Sequence, residues 1–214
     1  MTKLDLHTHS VASNDGGIKT NEYIRAIETK LIDVIAITDH NRIDFAIDIQ
    51  KKYPNNIIVG EEIMTLEGEI IGLFLTKKVE PDMSLEQTIA EIKNQGGLCY
   101  VPHPIEKLRN GISWDNLNKI KDLVDIIEIG NGRALNKTNY RKLVSWALLN
   151  HIGTASSSDA HGKRGLGKSY TNVSKMPTNP KNLLEYLDSS VTIIKYPSLI
   201  EVLYPKYNRM KNKR

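Results

Sequence analysis

The chain has 214 residues, 40% hydrophobic and 25% charged, which suits one ordinary globular domain with a sizeable core. Its net charge of +4 is unevenly placed: the last ten residues, 205–214, hold five cations and no acid, leaving residues 1–204 at −1. No apolar run reaches the roughly 18 residues of a membrane span, MTKLDLHTHS has no apolar signal region, and the lone Cys99 excludes an intrachain disulfide, so a cytoplasmic protein without a membrane segment is expected.

Short runs rich in Ile, Val and Leu recur at 4–7, 34–38, 57–64, 69–76, 97–103, 123–131 and 151–159. Several are continuous rather than alternating, as strands covered on both faces of a parallel sheet are. Helical patterns fall between most of them. Residues 20–30 open on Thr20 as a cap and line up Tyr23, Ile24 and Ile27 on one face. Residues 84–97 place Ser84 and Gln87 at capping-box spacing and stop at Gly96-Gly97. Residues 136–150 form a third helical pattern, whereas 66–68 is only a turn, so the strands around it pair as a hairpin. The stretch 171–183 reads as loop, and 191–197 as an extra strand after the main fold. About seven strands alternating with helices predict an α/β barrel over residues 1–204. The basic stretch 205–214 reads as a solvated tail, with an arm for nucleic acid or another polyanion as the alternative.

The polar residues follow a rule. His7, His9, His40, His103 and His161 all stand at or just beyond the C-terminal ends of predicted strands, where α/β folds gather functional groups. Carboxylates collect at the same ends: Asp15, Asp39, Glu61, Glu62 and Asp159. The sixth histidine, His151, opens a strand and is read as structural or surface. Mixed imidazole and carboxylate ligands suit Zn, Mn or Fe. His7 and His9, two residues apart, point to one face of an extended chain and reach one ion. The donors exceed one tetrahedral site, so two or three divalent metal ions are expected, with Glu62 as a bridging carboxylate.

In order, the motifs are His7-Thr8-His9, Asp15-Gly16, Thr38-Asp39-His40, Gly60-Glu61-Glu62, His103-Pro104 and Asp159-Ala160-His161. This ordered set resembles the PHP family, named for polymerase and histidinol phosphatase, over roughly residues 3–170. The resemblance implies a distorted (β/α)7 barrel, a trinuclear metal centre at the C-terminal ends of its strands, and phosphoesterase chemistry. It implies the ligands His7, His9, Asp15, His40, Glu62, His103, Asp159 and His161. Glu61, on the other strand face, is then structural. Many family members carry a further histidine where this chain has Glu69, which can also ligate a metal. Only 55 residues separate His103 from Asp159, too few for the domain some family phosphatases insert there, so an open mouth is expected.

Phosphate ester hydrolysis needs a nucleophile, neutralised phosphoryl oxygens and help for the leaving group. Metal binding lowers the pKa of water to roughly 7 and supplies the first. Arg133, Asn131 and Arg164 are the candidate substrate contacts, Arg133 also serving catalysis. Asp39 is expected either to orient a neighbouring ligand or to assist the leaving group. The expected substrate is a phosphomonoester or small phosphodiester, with a nucleotide or oligonucleotide included. The alternatives are a nuclease acting on polynucleotide ends, a C–N hydrolase with a similar centre, and a non-catalytic metal-bound scaffold. Oligomeric state has no signature in the sequence.

Overall fold

Local signals set most of the elements. Ser84 Oγ accepts from the Gln87 amide at 3.2 Å while Gln87 Oε1 accepts from the Ser84 amide at 3.1 Å, so the expected capping box opens its helix. The first helix starts differently: Lys19 is the capping position, Glu22 Oε2 accepts its amide at 2.9 Å, and Thr20 is already helical and exposed.

The computed structural model describes residues 1–134 and 140–212. In chain order the elements are β1 (Thr2–Asp5), α1 (Thr20–Glu28), β2 (Val34–Ile37), α2 (Asp44–Gln50), β3 (Ile57–Thr65), β4 (Gly68–Leu73), α3 (Leu85–Asn94), β5 (Leu98–Val101), a 3-10 turn (Lys107–Arg109), α4 (Trp114–Lys119), β6 (Ile126–Asn131), α5 (Tyr140–Leu149), β7 (Gly153–Ser157), β8 (Tyr170–Val173), α6 (Pro180–Leu187), β9 (Val191–Ile193) and α7 (Leu199–Asn212). The first residues of the helix expected at 136–150 lie outside the described residues, as do Lys213 and Arg214 at the end of the basic stretch.

One sheet runs β7-β6-β5-β4-β3-β2-β1-β8-β9. β1, β2 and β3 are parallel, as are β5, β6 and β7. The expected hairpin makes β4 antiparallel to β3 and to β5. The sheet curls until its parts meet: just past β7 and β1, Asp159 N donates to His7 O and His9 N to Ala160 O, both at 2.9 Å. The result is a mixed α/β fold with a nearly closed, distorted barrel, as expected.

Strand parity divides the core. Leu4, Val34, Ala36, Ile58, Ile71, Leu73, Tyr100 and Ile126 fill the lumen, while Ile35, Ile37, Val59, Ile70 and Ile127 face the helices. Burying one Ile or Leu fully contributes about 1.5–3 kcal/mol, so this two-sided burial dominates the fold's stability. Leu183 and Leu187 of α6 join the lumen cluster, and Leu187 approaches Gly153 at the start of β7. The end opposite the histidines is thereby covered.

Two features depart from expectation and a third agrees with it. The loop-like stretch 171–183 contains most of β8, antiparallel to β1, and the start of α6, capped by Asn179 with Pro180 in its first turn. The extra strand near 191 is present as β9. Residues 205–212 are not a solvated tail; they continue α7, with Pro205 and Asn208 buried. Among the described residues, no helix is long and apolar enough to cross a membrane.

Candidate metal centre

Parity also aims the site. Glu62 shares the lumen side of β3 with Ile58, Glu69 that of β4 with Ile71, and Glu128 that of β6 with Ile126. Glu61 faces the other way, fully buried, where its Oε2 accepts from Val79 N at 2.8 Å. Burial pushes its carboxyl up to about 7. It is structural, as read from the sequence.

The donors converge in four overlapping groups: His9, Asp15, His40 and His161; His7, Glu62 and His103; His7, His9 and Asp159; His40, Glu62 and Glu69. Within each group the ligand atoms lie within 4.8 Å of one another. Glu62 Oε2 lies 3.4 Å from His7 Nε2, 3.2 Å from His9 Nε2 and 3.3 Å from His40 Nδ1, and its Oε1 lies 3.0 Å from His103 Nε2. Asp15 Oδ1 stands 3.6 Å from both His40 Nε2 and His161 Nε2. A tetrahedral ion with bonds near 2.1 Å sets its ligands roughly 3.4 Å apart. Most of these separations match that figure and are long for hydrogen bonds. His7 Nε2 and His9 Nε2 also face each other at 3.1 Å. Asp15 Oδ1 and His103 Nδ1 are buried without a hydrogen-bond partner among the described residues. The donor set therefore fits divalent metal ions.

The electrostatics agree. Burial opposes protonation of His7, but Glu62, Asp159 and Glu128 overcome it and hold its pKa well above the imidazole range. Burial likewise opposes charge on Glu62, yet His7, His40 and His103 keep its pKa well below normal. Asp159 is held low against burial by Arg133 and His7, and Asp15 by His161 and His9. Burial lowers the pKa of His40 in spite of Glu62. Glu69 is the exception: burial first, then Glu62, pushes it up to about 9.

Surrounding residues fix the donors. Asp39 Oδ1 accepts from Ser10 N at 2.7 Å and Ser13 Oγ at 2.9 Å, and its Oδ2 from Ser10 Oγ at 2.6 Å. Both oxygens are thus occupied in holding the 10–15 loop, and Asp39 belongs to none of the four groups. That geometry places Asp39 to orient the loop that carries Asp15. Gly16 lets this loop fold: a Cβ there would lie 2.0 Å from Ser10 O. His103 and Asp159 hold φ of 27° and 49°, left-handed conformations uncommon for such residues and frequent at functional sites.

Of the expected substrate contacts, Arg133 reaches the site, with Nη1 3.3 Å from Asp159 Oδ1 and 3.4 Å from His161 Nδ1. Asn131 is buried, its Nδ2 donating to Glu128 Oε2 at 2.7 Å and Asp159 Oδ2 at 3.3 Å. Arg164 is exposed and lines neither cavity described below, because it lies beyond the turn that follows His161.

Four residues escape the sequence reading. Glu128 accepts from Tyr100 OH at 2.9 Å and His103 N at 2.7 Å and lies 3.4 Å from His7 Nδ1. Its signal was present, a carboxylate two residues from Ile126 in an apolar strand. Arg109 donates to Asp159 Oδ2 at 2.5 Å and Asn131 Oδ1 at 2.8 Å from an aperiodic 3-10 turn. Asn208 and Arg209 come from α7: Asn208 Nδ2 donates to Asp15 O at 2.8 Å and His161 O at 2.9 Å, and Arg209 Nη1 lies 3.2 Å from Asp15 Oδ2. The run of five cations in 205–214, which read as a solvated tail, masked both. Above the donors lies a cleft of about 370 Å³, bordered by Arg109, Arg133 and Arg209. A largely apolar cavity of about 480 Å³ adjoins it, sharing His103, Leu108, Arg109 and Arg133.

A nearly closed α/β barrel with clustered His, Asp and Glu at one end defines a metal-binding barrel protein. The PHP domain family model matches residues 5–156, and the chain belongs to the PHP family. The uncharacterized protein MJ1587 of Methanocaldococcus jannaschii is 36% identical over 143 residues, 60% of this chain and 81% of that one. A two-domain protein from Bacteroides vulgatus, containing a predicted PHP-like metal-dependent phosphoesterase, superposes with a TM-score of 0.74 at 18% identity, covering 97% of this chain and 69% of that one. The lesion-specific endonuclease PfuEndoQ of Pyrococcus furiosus superposes with a TM-score of 0.60 at 13% identity, covering 90% of this chain and 57% of that one.

Proposed function

We propose that the chain is a metal-dependent phosphoesterase that hydrolyses a phosphomonoester or small phosphodiester. The observation that carries this reading is the spacing of His7, His9, Asp15, His40, Glu62, His103, Asp159 and His161 about shared points, in a chain of the PHP family. These residues would hold two or three ions of Zn, Mn or Fe, with Glu62 shared between groups and Glu69 completing the His40–Glu62 group. Bound metal supplies an activated water and a Lewis acid at the phosphoryl oxygens.

The chain's own groups do the rest. Arg133 places a cation beside Asp159 and His161, where phosphoryl charge would be met. Arg109 and Asn131 hold Asp159 in place. Glu128 fixes the His7 ring through Nδ1 and leaves Nε2 toward the metal groups. Asp39 acts through the loop that carries Asp15. The lone buried Cys99 suits a reducing cytoplasm.

A second reading, a nuclease acting on polynucleotide ends, draws on the endonuclease neighbour and on Lys206, Arg209 and Lys211 of α7. The deciding experiment uses p-nitrophenyl phosphate and a 5′-labelled oligonucleotide with the metal-loaded chain. Chelator-sensitive release of nitrophenol, restored by Zn, Mn or Fe, is expected. Cleavage of the oligonucleotide alone, weakening steeply with salt, would favour the nuclease. No turnover of either with every metal would overturn both.

A further inference from the structure

We propose that Arg209, contributed by the C-terminal helix, closes a two-guanidinium clamp with Arg133 around the terminal phosphate of a phosphomonoester dianion. The inference rests on the phosphoesterase reading and names the substrate class of that same site.

The geometry places the two arginines on either side of one group of donors. Arg133 Nη1 is 3.4 Å from His161 Nδ1, and the other nitrogen of that ring, Nε2, is 3.6 Å from Asp15 Oδ1. The second oxygen of Asp15 is the one that Arg209 approaches, at 3.2 Å. The order Arg133, His161, Asp15, Arg209 thus brackets the group that also holds His9 and His40. Both arginines border the cleft above it.

Arg209 is held there by more than its own contact. The Asn208 side chain ties α7 to the 15 and 161 backbones at once. The Tyr204 ring lies over Gly162, where a Cβ would meet it at 2.8 Å, and Lys168 pairs with the buried Glu201. The helix is therefore anchored at three successive turns, yet the Arg209 side chain stays 56% exposed. Asp15 Oδ2 is its one hydrogen-bond partner among the described residues, so the rest of its donor fork is open for a ligand at the border of the cleft.

Oxygen count sets the preference. A phosphomonoester offers three terminal oxygens and a double charge, while a diester offers two and a single charge. A metal and two guanidinium forks can engage three terminal oxygens, and guanidinium is suited to bidentate phosphate contact. Arg109 is not a third arm, because Glu106, Asp159 and Asn131 already occupy it.

The test compares the wild-type chain, Arg209→Ala and Arg209→Lys, each loaded with Mn. KM and kcat are measured for p-nitrophenyl phosphate and bis(p-nitrophenyl) phosphate. Inorganic phosphate binding is followed by calorimetry, and metal content by plasma mass spectrometry. Arg209→Ala is expected to raise the monoester KM and the phosphate Kd roughly ten- to hundred-fold. The diester KM and the metal content should hardly change, and Arg209→Lys should recover part of the loss. Unchanged phosphate affinity in Arg209→Ala would overturn the proposal. So would a loss of metal with equal losses for both esters, which would give Arg209 a structural role through Asp15. A wild-type chain that holds metal but neither binds phosphate nor hydrolyses either ester would overturn the phosphoesterase reading and this inference together, whereas failure in the variants alone touches only the inference.

Discussion

Replacing Asn208 by alanine tests how the C-terminal helix is joined to the barrel. The Asn208 amide is buried and donates to two backbone carbonyls, Asp15 O at 2.8 Å and His161 O at 2.9 Å. Each neutral hydrogen bond contributes about 1 kcal/mol net, and each buried carbonyl left without its donor costs about 1–3 kcal/mol. Water from the adjoining cleft can reach the vacated position and keeps the penalty toward the low end. The expected loss is about 2–4 kcal/mol, a large share of the roughly 5–15 kcal/mol that stabilises a domain. Equilibrium urea unfolding of metal-free protein measures it without a contribution from bound ions. Exposed Lys206, two residues away, supplies the control, and its alanine variant should stay within about 0.5 kcal/mol of wild type. A loss below about 0.5 kcal/mol for Asn208→Ala, with no new proteolytic cleavage near residue 198, would refute the docking described for α7.

Three further outcomes follow from the site. Glu62→Gln removes the carboxylate common to two donor groups and should lower metal content by one to two equivalents and turnover at least roughly 100-fold; full metal content would exclude Glu62 as a bridge. The Glu69 carboxyl, pushed up to about 9, is protonated at neutral pH, so a metal must displace its proton; metal affinity should rise up to about ten-fold per pH unit from this group until near pH 9, and an unchanged pH slope in Glu69→Gln would remove Glu69 from the ligand set. Gly16→Ala forces a Cβ against Ser10 O, which should cost about 1–3 kcal/mol and weaken the metal held by Asp15; unaltered unfolding and metal content would show that the loop has room.

Much of this was legible because burial on two faces leaves a plain trace. VIAIT is a nearly continuous apolar run and LVDIIEIGN is rich in Ile, and both form strands inside the sheet rather than at its edges. Spacing alone left Glu61 and Glu62 open, and the Gly60-Glu61-Glu62 motif favoured Glu62. The histidines stood out because imidazoles at successive strand ends have no packing rationale. The rest lacked such traces. β8 reads YTNV, with two polar residues facing neighbours rather than a core, and so resembled loop. Arg109 comes from a turn whose position depends on left-handed Asn110 and Ile105, which no periodicity announces. In α7 only one narrow stripe is buried, while Leu199, Leu203, Tyr207 and Met210 stay exposed, so its pattern ran opposite to an ordinary amphipathic helix. Arg164 failed for the converse reason: sequence proximity to His161 says nothing about direction once a turn intervenes.

The central claim is that nine donors form one multinuclear centre. Plasma mass spectrometry on chain purified without chelator, and again after reloading with Zn, Mn and Fe, tests it most directly. The account predicts two to three equivalents per chain, lost to chelator and regained on reloading. Less than one equivalent under every condition would contradict it.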